Sequence, residues 1–115
     1  MTDTSHCFRL RVRGGFSAAH RLPCAGGACE ALHGHNYGVE VSVEGRDLDP
    51  TTGMLLDFRE IKTALAAVLG ELDHRFLNEA PALRGAQPSA ERLAQHIFVE
   101  LQTRLDRPGV AVVGV

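Results

Sequence analysis

Two histidines separated by a single residue carry the strongest chemical signal in this chain. In the stretch "CEALHGHNY", His33 and His35 leave the same face of an extended strand, so both imidazoles can reach one ion. Gly34 between them would let the backbone approach closely. His20 ends the earlier run "FSAAH", and a hairpin across the intervening loop would bring it beside the pair. Three neutral imidazoles without a fourth protein ligand are typical of a catalytic zinc with an open position, so the spacing predicts a zinc site at His20, His33 and His35.

A thiol near these histidines could supply proton transfer. Cys29 lies four residues before His33, and a nearby cation lowers the pKa of a thiol and makes a thiolate available. The competing interpretation is that Cys29 is a small buried apolar residue, as free cysteines often are. Cys24 lies in the same loop and is assigned to that structural role, as is Cys7.

An acid–histidine pair occurs further along, in "ELDHRFLN". The carboxylate of Asp73 could orient the imidazole of His74 and raise its basicity, which would give a proton relay. Adjacent residues rarely face each other directly, so a simple capping feature at the end of a helix is the alternative.

Alternating apolar and polar residues predict two strands around the histidines. Residues 7–12 alternate, Gly14 and Gly15 indicate a bulge or bend, and residues 16–20 resume the pattern. Residues 36–45 alternate again, with their valines on one face, and the two strands are expected to pair in antiparallel fashion.

Beyond "MLLDF" the apolar period becomes helical. Asp57 is the predicted N-cap of a first helix, and Ser89 that of a second helix that Pro108 and Gly109 end. A third strand is expected to begin near Val110. The order β-β-α-α-β, with one further strand missing, predicts an α+β fold in which two helices cover one face of an antiparallel sheet.

The overall composition fits a single globular domain over residues 1–115, with 44% hydrophobic and 23% charged residues. A net charge of −2 gives no general reason to bind nucleic acid or an anionic membrane, and no run approaches the roughly 20 apolar residues of a membrane span. The N-terminus lacks a signal-peptide pattern, and three cysteines without scaffold spacing favour a cytoplasmic location. The strand-like end "GVAVVGV" suggests that part of the natural protein is missing.

Five motifs in order, "FSAAHRL", "CEALHGHNY", "GMLLDF", "LDHRFLN" and "PSAERLA", resemble the 6-pyruvoyltetrahydropterin synthase / 6-carboxytetrahydropterin synthase family. The resemblance spans residues 16–101, most of the chain. It implies zinc on the three histidines and assigns proton transfer to three further residues, Cys29 as base or acid and Asp73 with His74 as its relay partners.

The same resemblance implies the tunnelling fold, in which subunits join their sheets into a barrel, commonly as a homohexamer with active sites between subunits. The spacing C-x-x-x-H-G-H is similar to that of the bacterial carboxy-forming members, which act in queuosine biosynthesis. The implied substrate is 7,8-dihydroneopterin triphosphate, which is converted to 6-carboxy-5,6,7,8-tetrahydropterin with loss of acetaldehyde and triphosphate. The triphosphate predicts arginine anchors, although the sequence singles out none of them.

Two departures from the family pattern leave alternatives open. The chain ends before the strand on which the family carries its pterin-anchoring Glu, so that residue is expected to be truncated or disordered. Glu30 lies three residues before His33, where some relatives use a catalytic Glu and release a 6-hydroxymethyl pterin. A 6-pyruvoyltetrahydropterin synthase is also an alternative.

Two rivals to this family differ in fold or in chemistry. Gly27, His33, His35 and Glu40 fit the start of a cupin metal motif, but a regular strand would turn Glu40 away from the histidines, and two helices do not suit an all-β barrel. A non-catalytic zinc-binding or assembly protein is the other rival.

Overall fold

The computed structural model describes residues 6–23 and 31–115. Within these ranges the chain forms a three-stranded antiparallel sheet, two α-helices and two short 3-10 turns. In chain order these are β1 (Phe8–His20), β2 (His33–Gly45), α1 (Phe58–Gly70), the 3-10 turns Leu77–Glu79 and Pro81–Leu83, α2 (Ala90–Arg104) and β3 (Val110–Gly114). The predicted α+β class and the predicted β-β-α-α-β order are confirmed.

Strands β1 and β2 pair in one uninterrupted register, from Phe8 opposite Gly45 to His20 opposite His33. The predicted bulge at Gly14 and Gly15 is therefore wrong. The irregularity of the sheet lies elsewhere, between Ser42 and Val43, where β2 pairs with the short strand β3.

Packing explains the glycine at position 14. A Cβ atom there would lie 3.0 Å from Cδ2 of Leu65 and 3.1 Å from Cδ1 of Leu69, both of which belong to α1. Gly14 therefore lets the helix lie close against β1. The close approach predicted at Gly34 is not found, because a Cβ there would meet only the carbonyl oxygen of Ala18, at 3.8 Å.

Both predicted helix starts are confirmed by capping hydrogen bonds. The side chain of Asp57 accepts from the backbone N–H of Arg59, and the Ser89 hydroxyl accepts from that of Arg92. Helix α2 ends earlier than predicted, at Arg104, because the backbone already leaves helical geometry at the next residue.

The helices and one face of the sheet enclose the core. The even-numbered residues of β1 and the odd-numbered residues of β2 point into this core. Strand β2 begins at His33, three residues earlier than predicted. The fully buried side chains are mostly aliphatic: Val41, Val43, Ile61, Val68, Leu72, Leu77, Pro88, Ile97 and Leu101. In the described part of the chain, no helix has the length and apolar character that a bilayer crossing requires.

Candidate metal centre and active site

The register of the hairpin brings the three predicted ligands together. His20 lies directly opposite His33, and His35 lies opposite Ala18 on the same face of the sheet. One ring nitrogen from each histidine can be chosen so that all three atoms lie within 4.8 Å of one another. The site therefore continues the core face of the sheet at its end, where apolar side chains give way to imidazoles.

Backbone carbonyls determine which ring nitrogens carry hydrogen in two of these histidines. Nδ1 of His20 lies 2.8 Å from the carbonyl oxygen of Pro88, and Nδ1 of His33 lies 2.7 Å from that of Ala31. Because a carbonyl oxygen only accepts, Nδ1 is the donor in both rings, and in the neutral imidazole Nε2 carries the lone pair.

The two Nε2 atoms of His20 and His33 face each other at 3.0 Å. Two lone pairs at this distance repel each other. A cation between them would remove the repulsion, because both nitrogens could then coordinate it. Imidazole nitrogens whose other N–H is held by a carbonyl are the usual histidine ligands of zinc. The donor chemistry of the site therefore fits a divalent metal ion.

Tyr37 supports the most buried of the three histidines. Its hydroxyl lies 3.1 Å from Nδ1 of His20, and its ring stacks on that of Phe16 with centroids 4.6 Å apart and planes 12° apart. Burial raises the pKa of Tyr37, so the hydroxyl stays protonated at neutral pH. Sequence reasoning missed both Tyr37 and Pro88, although the period of two that links His33 to His35 also places Tyr37 on the same face.

Exposure increases across the three histidines. The residue exposure of His20 is 5%, that of His33 is intermediate, and His35 is exposed. The site is thus closed at His20 and open to solvent at His35, so a ligand from outside would enter on the His35 side.

Asp73 and His74 form a direct contact despite being adjacent in sequence. Nδ1 of His74 lies 3.0 Å from Oδ1 of Asp73, which also accepts from the backbone N–H of Ser17 at 2.9 Å. This geometry depends on the backbone of His74, which has a φ of 57° in the left-handed region and donates its N–H to the carbonyl of Ser17. The simple capping alternative does not describe this pair.

The hydrogen bonds to Asp73 keep it ionised. The backbone N–H of Ser17 lowers the pKa of Asp73 most, and the hydrogen bond from His74 lowers it further. The result is a carboxylate that holds the Nδ1 side of the His74 ring. Nε2 of His74 is then the nitrogen available to a reacting group.

One open cleft of about 550 Å³ connects the two groups of residues. His35 and His74 both line it, together with Gly34, Asn36 and Arg75. The structure therefore brings five of the six predicted site residues to one end of the sheet. Cys29, the sixth, lies outside the described residues, as do Cys24, Gly27 and Glu30.

Comparison with known proteins identifies the family. The model of the family described as "6-pyruvoyl tetrahydropterin synthase" matches residues 9–115. The chain belongs to this family. The 6-pyruvoyl tetrahydropterin synthase family consists of enzymes that act on pterins, which confirms the enzyme prediction at that level and disfavours the cupin rival.

Relatives within the family carry more than one name. A 6-carboxy-5,6,7,8-tetrahydropterin synthase of Synechocystis is 40% identical over 91 residues, which cover 76% of this chain and 69% of the relative. A dihydroneopterin monophosphate aldolase of Pyrococcus furiosus is 34% identical over 101 residues, covering 88% and 79%. The solved 6-pyruvoyl tetrahydropterin synthase of Caenorhabditis elegans superposes with a TM-score of 0.78 at 28% identity, over 96% of this chain and 90% of that one. The tunnelling fold is confirmed at the level of the single subunit.

Proposed function

We propose that the chain is a zinc-dependent 6-carboxy-5,6,7,8-tetrahydropterin synthase of queuosine biosynthesis. It would convert 7,8-dihydroneopterin triphosphate and water to 6-carboxy-5,6,7,8-tetrahydropterin, acetaldehyde and triphosphate. The observation that carries the proposal is the hairpin register that gathers His20, His33 and His35 within 4.8 Å, in a chain that belongs to a pterin synthase family. The proposed activity is the one given in the name of the Synechocystis relative.

The three histidines would hold the metal ion through ring nitrogens. Zinc bound there would supply Lewis-acid chemistry to oxygens of the substrate side chain. The protein's own contribution is orientation, because Pro88 and Ala31 fix two of the rings through their Nδ1 atoms. A preset ligand geometry lowers the reorganisation that metal and substrate binding would otherwise require.

Asp73 and His74 would move protons during the rearrangement and the carbon–carbon cleavage. The ionised Asp73 accepts from Nδ1 of His74, which leaves Nε2 to take a proton from the substrate or return one to it. The cleft that His74 shares with His35 supports this role, since a substrate bound beside the metal would lie within the same space.

Cys29 is proposed as the second proton-transfer group. Its place in the chain supports this role, because it lies four residues before His33. A thiolate near a bound cation is both a base and, once protonated, an acid for the opposite face of a reacting carbon. Acid and base roles would then be divided between Cys29 and His74.

The second candidate function is a lyase that releases a 6-hydroxymethyl pterin. It is supported by Glu30 and by the Pyrococcus furiosus aldolase among the relatives. We favour the carboxy product because the chain has Cys29 in the spacing C-x-x-x-H-G-H and the Synechocystis synthase has the higher identity, 40% against 34%. A 6-pyruvoyl product is the third possibility for the same site.

A homohexamer of single-domain subunits, located in the cytoplasm, completes the proposal. Among the described residues, β3 pairs only with residues 42–45 of β2, so the rest of that edge has unpaired backbone groups. Open edges of this length are normally covered by another strand, and a second copy of the chain is a natural partner. Active sites between subunits would then combine residues from neighbouring chains.

Product analysis tests the proposal directly. Zinc-loaded protein is incubated with 7,8-dihydroneopterin triphosphate, and the pterin products are identified by mass. We expect 6-carboxy-5,6,7,8-tetrahydropterin from the native protein and none from Cys29→Ala, which should keep its zinc. A 6-hydroxymethyl or 6-pyruvoyl product would replace the proposed activity by one of its alternatives, and zinc-loaded protein without any pterin product would refute all three.

A further inference from the structure

A second cleft lies on the helical side of the molecule and is lined by none of the three clustered histidines. It has a volume of about 750 Å³ and lies between helix α2 and the segment 81–86, next to the end of α1. Small-molecule sites usually have volumes of about 300–1,000 Å³, so the cleft is large enough for a metabolite. We call it the arginine cleft, because Arg75, Arg84 and Arg92 line it.

The arginines of this cleft differ from most others in their pairing. Five arginines elsewhere form ion pairs with carboxylates: Arg9, Arg13, Arg59, Arg104 and Arg107. Within residues 6–23 and 31–115, none of the three cleft arginines forms an ion pair, and the one side-chain hydrogen bond among them joins Arg92 to Gln95. Their guanidinium charge is therefore available to an anion.

His96 adds an unsatisfied polar atom to the same cleft. Its Nε2 is buried and has no hydrogen-bond partner among the described residues. Buried ring nitrogens are nearly always paired, so this one is an unsatisfied polar atom in a residue that lines the cleft. In the tautomer that carries hydrogen on Nε2, this nitrogen is a donor.

The backbone of the facing segment also has an uncommon conformation. Arg84 has a φ of 52° and Gly85 a φ of 80°, so two consecutive residues lie in the left-handed region. Left-handed backbone at a non-glycine residue is sparsely populated, and it is retained where the surrounding structure or a function requires it. Here it places Arg84 in the wall of the cleft opposite α2.

The acidic residues of the cleft do not cancel its charge. Oε1 of Glu71 lies 3.9 Å from Nη2 of Arg104, so the carboxylate of Glu71 is paired with an arginine outside the cleft. Glu100 is the other carboxylate in the wall, which leaves three guanidinium groups against one uncommitted acid. Leu83 and Val99 supply apolar surface, and the side chain of Val99 is exposed.

We propose that the arginine cleft binds a phosphorylated small molecule, with its phosphate groups on Arg84 and Arg92 and its body against Leu83 and Val99. Guanidinium groups bind phosphate through paired, charge-assisted hydrogen bonds, and the apolar wall suits a ring system. The cleft uses none of the metal-binding residues, so this proposal does not depend on the proposed activity. Arg75 lines both clefts, so the phosphate chain of a substrate is one source of the ligand and a separate metabolite is the other.

Binding of inorganic triphosphate, measured by calorimetry on the full chain, tests the proposal. We expect saturable binding that weakens about tenfold or more in Arg84→Gln and in Arg92→Gln, because each removes a charge-assisted contact. Arg11→Gln is the matched control: Arg11 is exposed, belongs to β1 and forms no ion pair among the described residues, so its loss should leave triphosphate binding unchanged. Thermal unfolding of each variant establishes that the fold is intact.

Two further outcomes separate the sources of the ligand and decide the proposal. If the KM for the pterin triphosphate rises in the two variants together with the loss of triphosphate binding, the ligand is the phosphate chain of the substrate. If turnover is unaffected while triphosphate binding is lost, the ligand is a separate phosphorylated molecule. Absence of triphosphate binding, or binding that Arg84→Gln and Arg92→Gln leave unchanged, would overturn the proposal.

Discussion

The Nε2 atoms of His20 and His33 lie 3.0 Å apart across the terminal register pair of the β1–β2 hairpin. Each ring donates its Nδ1 hydrogen to a backbone carbonyl, so the two lone pairs face each other. A neutral pair of imidazoles would relax away from this arrangement unless the backbone held it. The hairpin register and the two carbonyls therefore create a site prepared for a cation.

Replacing Tyr37 with phenylalanine should weaken metal binding about tenfold. The substitution removes the hydroxyl beside Nδ1 of His20 but keeps the ring that stacks on Phe16. Loss of an outer contact to a ligand histidine typically costs about 10–100-fold in metal affinity, and the retained carbonyl of Pro88 favours the lower end. Competition with a chromophoric chelator measures the affinity. Unchanged affinity in Tyr37→Phe would show that Pro88 alone orients the ring.

Replacing His74 with glutamine should lower kcat by about 100-fold or more without loss of metal. General acid–base groups typically contribute about 10²–10⁴-fold, and His74 is not among the three clustered imidazoles. Single-turnover kinetics and metal analysis of the same preparation measure the two quantities. Loss of metal in His74→Gln, or unchanged turnover, would contradict a proton-transfer role.

The acid dependence of stability should reveal the N-cap at Asp57. Hydrogen bonds from Arg59 lower the pKa of Asp57 to about 2 in the folded protein, against about 3.9 in an unfolded chain. The folded state thus favours the ionised form, so this contribution is fully present above about pH 4 and is lost as the pH falls towards 2.

Melting curves of the native protein and of Asp57→Asn, recorded between pH 6 and pH 2, check this expectation. Asparagine is also a good N-cap but carries no charge, so the native protein should lose its advantage over the variant as the pH falls. Asp106→Asn is the control, because it removes an exposed carboxylate that is not an N-cap of either helix. If the difference in melting temperature between the native protein and Asp57→Asn does not change with pH, the stabilising role of the ionised Asp57 cap is contradicted.

A methyl group at position 14 should destabilise the fold by about 1–3 kcal/mol, the usual cost of overpacking a core. In Gly14→Ala the new Cβ would lie 3.0 Å from Leu65 and 3.1 Å from Leu69, whose buried side chains have little room to move. Gly38→Ala is the matched control, since a Cβ there meets nothing within 4 Å. Urea unfolding measures both, and equal stability of the two variants would refute the packing account of Gly14.

The period-two pattern and the hairpin were sufficient to predict that the three histidines cluster, because the register of a strand pair follows from which residues face the core. The caps at Asp57 and Ser89 were predictable because a capping side chain bonds within its own turn. Local sequence reasoning has no access to contacts made by distant segments. For that reason it assigned Gly14 to a bulge, when its role is set by α1, which is distant in sequence.

Two further features of the site, the contact of Pro88 with His20 and the facing geometry of Asp73 and His74, also depend on segments that are distant in sequence. Pro88 reaches His20 from a segment 68 residues away. The facing geometry of Asp73 and His74 depends on the left-handed backbone of His74, which the backbone of Ser17 holds. Tyr37 is different, because its spacing from His35 does place it on the face of the sheet that carries the three histidines, and only its hydrogen bond to His20 required the structure.

Metal content of the purified chain tests the three-histidine centre most directly. Mass spectrometric metal analysis should find about one zinc ion per chain in the native protein. The zinc content should fall strongly in each of the variants His20→Ala, His33→Ala and His35→Ala. His96→Ala is the matched control, because it removes a histidine outside the cluster and should retain the metal. Native protein that binds no zinc, or three variants that bind it as well as the native protein does, would contradict the account.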